Sequence, residues 1–261
     1  MNLGLENKVA LVTGAAQGMG RATAKVLAKY GCDVIVTDIQ KDKIITLCDE
    51  IKTLGRRCIS IPVDVLNTKQ IEDSVAQGIK EFGRIDILIN CAGIVVAYKM
   101  VDLPEEIWDK VMTINAKSMM LYTREVAKHM IHEGIKGKIV SISSQAAKLP
   151  EYGNGAYSCS KAVVSALTSV FGLELAEYGI NVNAICPGPT NTQLMQSIFE
   201  ERAPLFDMTP EEYAKDWVKN VPLHRMAEPE EMGEFIAFLC SDKSSYMTAV
   251  SSTISGGMTI I

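Results

Sequence analysis

From Lys8 to about Val182 the chain alternates short β-branched apolar runs with longer amphipathic stretches, and few folds accommodate that pattern. The runs Lys8–Thr13, Asp33–Thr37, Cys58–Val63, Ile85–Asn90, Lys138–Ser143 and Asn181–Ile185 read as strands. Between them, Gly18–Tyr30, Lys41–Leu54, Thr68–Phe82, Pro104–His132 and Gly155–Tyr178 read as helices. Near-continuous apolar strands are buried on both faces, and crossovers of this length carry helices. The pattern predicts an α/β protein with a doubly wound parallel sheet and helices on both faces. A further run at Ala249–Ile254 brings the expected sheet to about seven strands in one domain, residues 1–261. Ligands of such sheets bind beyond the carboxyl ends of the strands.

The alternation stops at Pro187. Residues 190–222 hold amphipathic pieces, Met195–Arg202 and Pro210–Lys219, but no strand, before a last helix at Pro229–Leu239. An insertion of this size beside the expected ligand crevice predicts a substrate-covering lid.

Charge and composition remove several functions. The net charge of −5 lacks the clustered Lys and Arg that nucleic acid requires. Apolar runs such as Val9–Val12 and Ile85–Ile89 fall far short of the roughly 20 residues of a spanning helix, so no membrane association is expected. Met1–Lys8 has neither the charged nor the apolar region of an export signal. The seven cysteines are widely spaced without a Cys-x-x-Cys, which predicts neither a disulfide framework nor a zinc site. A reducing, cytoplasmic setting is expected, with most thiols acting as small buried apolar groups. His129, His132 and His224 are scattered, and no metal is expected.

Two motifs carry chemistry. Directly after the first strand, Thr13–Gly20 places Gly14, Gly18 and Gly20 around Gln17 and Met19. Glycines allow close backbone approach to a pyrophosphate, and the following helix offers its N-terminal amides. Asp38 ends the next strand, where its carboxylate can accept hydrogen bonds from ribose hydroxyls. The same carboxylate would repel a 2′-phosphate, and neither Gln17 nor Ile39 supplies a cation, so NAD is expected over NADP. The second motif is Tyr157-Ser-Cys-Ser-Lys161, thirteen residues after Ser144. Residues four apart share a helix face, so the Lys161 cation is expected to lower the Tyr157 pKa from its usual value of about 10. Tyr157 could then exchange a proton with a substrate hydroxyl or carbonyl.

In order and spacing, Thr13–Gly20, Asp64, Asn90-Cys91-Ala92-Gly93, Asn115, Ser144, Tyr157-x-x-x-Lys161 and Pro187-Gly188 resemble the short-chain dehydrogenase/reductase family over essentially the whole chain. The resemblance implies a single Rossmann-type domain, usually a homotetramer, and a catalytic tetrad of Asn115, Ser144, Tyr157 and Lys161. Ser144 would bond the substrate oxygen, Lys161 the nicotinamide ribose, and Asn115 a water that relays protons to Lys161. Ser143 competes with Ser144, but adjacent strand residues face opposite ways and the family spacing selects Ser144. The resemblance further implies that Asp64 and Val65 meet the adenine. Asn90, Ala92 and Gly93 would line the adenosine pocket, and Pro187, Gly188, Thr190 and Thr192 would hold the carboxamide. Cys91 and Ser255 depart from residues usual in the family, which points to altered packing at those places.

The substrate is less constrained. Ser144, Gln145, Glu151, Asn154 and Tyr157 resemble members that oxidise polyols and vicinal diols, and their polar groups suit a substrate bearing several hydroxyls. Leu194, Met195, Ile198, Phe199, Leu205, Phe206, Met208 and Trp217 leave open an apolar hydroxysteroid or bile acid. A 3-oxoacyl or other ketone substrate, and a non-catalytic NAD-binding scaffold, are the remaining alternatives.

Overall fold

The computed structural model describes residues 3–260; Met1, Asn2 and Ile261, which the sequence reading includes in the domain, lie outside the described residues. Seven strands form one sheet: β1 (Val9–Thr13), β2 (Asp33–Asp38), β3 (Cys58–Pro62), β4 (Ile87–Asn90), β5 (Lys138–Ile142), β6 (Asn181–Pro187) and β7 (Ser251–Ile254). Their order is β3-β2-β1-β4-β5-β6-β7, and every pairing is parallel. The order reverses direction between β1 and β4, which opens a crevice at the carboxyl ends of those two strands.

Helices α1 (Gly18–Lys29), α2 (Lys41–Thr53) and α3 (Thr68–Phe82) connect the first four strands. Side chains alternate across β1: Ala10 and Val12 enter one core with Leu27 of α1 and Leu47 of α2, while Val9 and Leu11 enter the other with Ile71 of α3. Fully burying each such Val, Leu or Ile contributes about 1.5–3 kcal/mol, so burial on both faces holds the central strand in place. Asn67 caps α3 by accepting from the amides of Lys69 and Gln70, and Gly83 ends it in the left-handed region at φ 77°.

The long helix expected over Pro104–His132 is divided. It comprises α4 (Glu105–Met112), a π-helical turn at Thr113–Lys117, and α5 (Ser118–His132). The wider turn carries the buried Asn115, and π turns often mark functional sites. The next helix, α6 (Gly155–Glu174), stops short of Tyr178 because a separate 3₁₀ turn at Ala176–Tyr178 leads into Gly179 at φ 72°. In the lid lie α7 (Gln193–Arg202) and α8 (Pro210–Lys219), and α9 (Pro229–Cys240) packs on α1. Met195, Phe199, Ala203 and Tyr213 give the lid a small core of its own.

The expectation of unpaired thiols fails at one place. Cys48 of α2 and Cys58 at the start of β3 form a disulfide, with Cα atoms 5.2 Å apart. No short motif marks this pair, which meets because α2 folds back along the strand that follows it. Cys32, Cys91, Cys159, Cys186 and Cys240 are free, and Cys159 is exposed.

Asp86, immediately before β4, ties the sheet together at the opposite end from the crevice. Its buried carboxylate accepts from the Val9 amide at 2.9 Å and the Arg84 Nε at 2.9 Å, with the Lys8 ammonium 3.8 Å away. Asp86→Ala should leave the Val9 amide unpaired and lower unfolding stability by roughly 1–3 kcal/mol. Urea denaturation checks this, and an unchanged midpoint would remove Asp86 from the forces that hold β1.

Candidate active site

The loop after β1 approaches the loop after β4 closely. A Cβ built on Gly14 would stand 2.7 Å from the amide nitrogen of Ala92, and the backbone there has φ 63°, so both space and conformation require glycine. Thr13 joins the two loops, its Oγ1 accepting from the amides of Cys91 at 3.0 Å and Ala92 at 3.2 Å. Gly20 lies in the first turn of α1 against the Gly14 carbonyl. A backbone cradle at a helix N-terminus fits a pyrophosphate.

A cleft of about 320 Å³ opens above this cradle. Of the residues expected to hold the cofactor, Gly14, Gln17, Gly18, Met19, Asp38, Ile39, Asp64, Val65, Ala92, Gly93 and Thr192 line it. Asp38 accepts from the Ala16 amide at 3.1 Å through Oδ2 and from the Gln40 amide at 2.9 Å through Oδ1. Asp64 Oδ1 accepts from the Leu66 amide, and Gln70 Oε1 accepts from the Asp64 amide. Asn90, expected to line the adenosine pocket, is not among the residues that line the cleft; its Nδ2 donates to Thr123 Oγ1 and Ser141 Oγ. Val63, Ile94 and Ile114 were not singled out from sequence, yet they supply apolar walls suited to flat rings. Lys43 was also missed. Its Nζ donates to Gln17 Oε1 at 2.9 Å, which brings a cation to the edge of the phosphate loop.

Ser144, Tyr157, Lys161 and Asn115 come together beyond β5. Ser144 and Tyr157 meet on the wall of one cavity, and Ser144 Oγ accepts from the Ala146 amide at 3.1 Å. Ser143 points the other way, donating to the Lys161 carbonyl and pairing with Ser165. Lys161 Nζ donates to the Ile142 carbonyl at 2.7 Å and lies 5.6 Å from the Tyr157 ring centroid. Asn115 accepts from the Ile94 amide at 2.8 Å and donates to the Ile94 carbonyl and Ser160 Oγ, so both amide hydrogens are engaged and only Oδ1 has capacity for the expected water.

The electrostatics differ from expectation. Burial pushes the Tyr157 phenol up to about 12, partly opposed by the neighbouring Ser144 hydroxyl. Burial likewise pushes the Lys161 ammonium down to about 8. The expected lowering of Tyr157 by Lys161 is therefore not found: loss of solvation is the largest cause at both groups and favours the neutral form of each.

Ser144, Gln145, Glu151, Asn154 and Tyr157 line a second cavity of about 60 Å³ with Pro187, Gly188, Thr190 and Thr192. The lid closes it with Leu194, Met195, Ile198 and Trp217. Gln145 is already bonded elsewhere, its Oε1 accepting from Thr259 Oγ1 at 3.1 Å and its Nε2 contacting the Met258 sulfur at 3.5 Å. Ser255 Oγ accepts from the Thr259 amide and donates to the Thr259 carbonyl, and so fixes the segment that holds Gln145. Arg202 had not been singled out. It lies buried at the end of α7, with Nη1 donating to Glu151 Oε2 at 2.6 Å. A lone cation among Met195, Phe199 and Ala203 was the available signal.

Residues 8–203 match the model of the short chain dehydrogenase family. The oxidoreductase UcpA of Salmonella typhimurium is 39% identical over 257 residues, covering 98% of this chain and 96% of that protein. Among solved structures, an NAD+-bound xylitol dehydrogenase superposes with a TM-score of 0.93 at 31% identity, covering 97% of this chain and 99% of its own. An actinorhodin polyketide ketoreductase with NADPH also superposes with a TM-score of 0.93, at 32% identity and 97% of each chain. The cradle, the cleft and these likenesses agree: the chain belongs to the short-chain dehydrogenase family of oxidoreductases, which use a nicotinamide cofactor.

Proposed function

We propose that the protein is an NAD-dependent dehydrogenase that interconverts a secondary alcohol, a polyol or vicinal diol, and its ketone. The observation that carries this reading is the meeting of Ser144 and Tyr157 on the wall of a small cavity beside the cleft that fits a dinucleotide. The nicotinamide would carry the hydride. Ser144 would bond the substrate oxygen, and Tyr157 would exchange its proton. Lys161 would bind the nicotinamide ribose, and Asn115 would hold the Ile94 backbone against α6, with Oδ1 left for a relay water.

NAD is proposed because Asp38 presents a carboxylate at the end of β2, where a 2′-phosphate would lie. Lys43 is the countervailing charge, but its ammonium is engaged with Gln17. The NADPH-bound and NAD+-bound structural relatives leave both cofactors represented in the family. The xylitol dehydrogenase likeness and the polar wall of Glu151 and Asn154 support a polyol or diol. A cavity of about 60 Å³ suits a small substrate better than a steroid, although the apolar lid keeps a hydroxysteroid or ketone substrate as the second reading. A non-catalytic scaffold would leave the Tyr157, Ser144 and Lys161 cluster without purpose.

We further propose a homotetramer in the cytoplasm. Exposed Val170 and Leu173 on α6 support self-association, and the five free cysteines support a reducing setting, against which the Cys48–Cys58 pair weighs.

Tyr157→Phe should cut turnover by roughly 10²–10⁴-fold while NADH binding, followed by fluorescence, is retained. Full activity in that variant would overturn the assignment. Asp38→Ala should shift the ratio of kcat/KM for NAD over NADP toward NADP; an unchanged ratio would take Asp38 away from the ribose. NADH formation with hexitols, pentitols, vicinal diols and hydroxysteroids tests the substrate class. Turnover of a polyol or diol is expected, and turnover of steroids alone would replace the proposal by the second reading.

A further inference from the structure

The lid and the loop before Tyr157 share a buried polar contact that sequence spacing does not show. The side chain of Arg202 is only 4% exposed, and its guanidinium reaches Glu151 Oε2 at 2.6 Å and the Tyr152 carbonyl at 2.9 Å. The rings of Tyr213 and Trp217 stand 5.7 and 5.5 Å from it, so the cation is enclosed by the lid's own aromatic residues. Taking a guanidinium out of water is costly, and it is retained here only in company with one carboxylate and one carbonyl.

That carboxylate fixes a third residue. Glu151 Oε2 also receives a hydrogen bond from Asn154 Nδ2 at 3.2 Å. A carboxylate paired with arginine can only accept, so the Asn154 amide must turn its NH2 toward Glu151. Its Oδ1 is left buried without a partner. Asn154 and Glu151 both line the cavity that holds Ser144 and Tyr157. Beside the reacting centre the wall therefore carries an unpartnered acceptor, Asn154 Oδ1, while the Ser144 and Tyr157 hydroxyls remain for the reacting oxygen. Acceptors suit a hydroxyl, which can donate, and repel a carboxylate.

Resting on the dehydrogenase reading above, we propose that Arg202 is a positioning residue that sets substrate specificity. Its clasp on Glu151 orients Asn154 so that the cavity accepts a hydrogen bond from a second hydroxyl next to the reacting carbon. Arg202 thereby selects a vicinal diol over the corresponding mono-alcohol without itself lining the cavity.

The test compares 2,3-butanediol with 2-butanol, both with NAD, in the wild type, Arg202→Met, Arg202→Lys and Glu151→Gln. The wild type should favour the diol in kcat/KM by about tenfold or more, the size of one hydrogen bond. Arg202→Met and Glu151→Gln should bring that ratio close to one, chiefly by raising KM for the diol. Arg202→Lys should restore part of it. NADH fluorescence identifies variants that keep the fold, and the milder Arg202→Lys and Glu151→Gln serve if Arg202→Met does not. A merely structural anchor would lower both alcohols alike, so an unchanged ratio in folded variants of a discriminating wild type overturns the role of Arg202 alone. A wild type that does not discriminate, or turns over neither alcohol, overturns the diol reading and the role of Arg202 with it.

Discussion

The close approach of the Gly14 backbone to the Ala92 backbone is the constraint on which the site depends. The 2.7 Å that a Gly14 Cβ would leave to the Ala92 nitrogen excludes a side chain there. The Thr13 hydroxyl then bonds both amides after β4 and joins the phosphate loop to the strand at which the sheet order reverses. The positions of the cleft, of Gly93 and of the Ile94 backbone follow. Asn115 carries that placement onward, holding Ile94 on one side and Ser160 of α6 on the other, and α6 presents Tyr157 and Lys161. A π-helical turn is the local structure that delivers Asn115 into this buried position.

The chemistry depends on burial as much as on the identity of the groups. Tyr157 and Lys161 lie where solvent cannot stabilise their charged forms, so each is driven toward neutrality. A phenol held near 12 carries its proton at neutral pH, whereas its base form is scarce and grows tenfold with each pH unit. Under the proposed function, ketone reduction and alcohol oxidation would place opposite demands on the Tyr157 oxygen.

Much of this was legible in the sequence because it rests on local patterns. Strand and helix periodicity located every strand to within a few residues, and the glycine spacing located the cradle. What escaped was decided by long-range contact. The π turn has no periodic signature distinct from the helix around it. Gln145 reads as a free amide until Met258 and Thr259 return beside it from the far end of the chain. Arg202 reads as a surface cation until Glu151 and two aromatic rings enclose it. The Cys48–Cys58 pair and the bond from Lys43 to Gln17 arise where α2 settles on the sheet. The expected effect of Lys161 on Tyr157 failed for a related reason: helix spacing gives proximity, but desolvation is a property of the finished fold.

The central claim is that Tyr157 is the proton-exchanging group in a cavity that favours its neutral form. The most direct measurement is the pH dependence of kcat in both directions, 2,3-butanediol oxidation with NAD and acetoin reduction with NADH, over about pH 6 to 9. Oxidation should climb steadily with pH, while reduction holds level or falls. Oxidation that declines as pH rises, or reduction that climbs with it, would contradict the account.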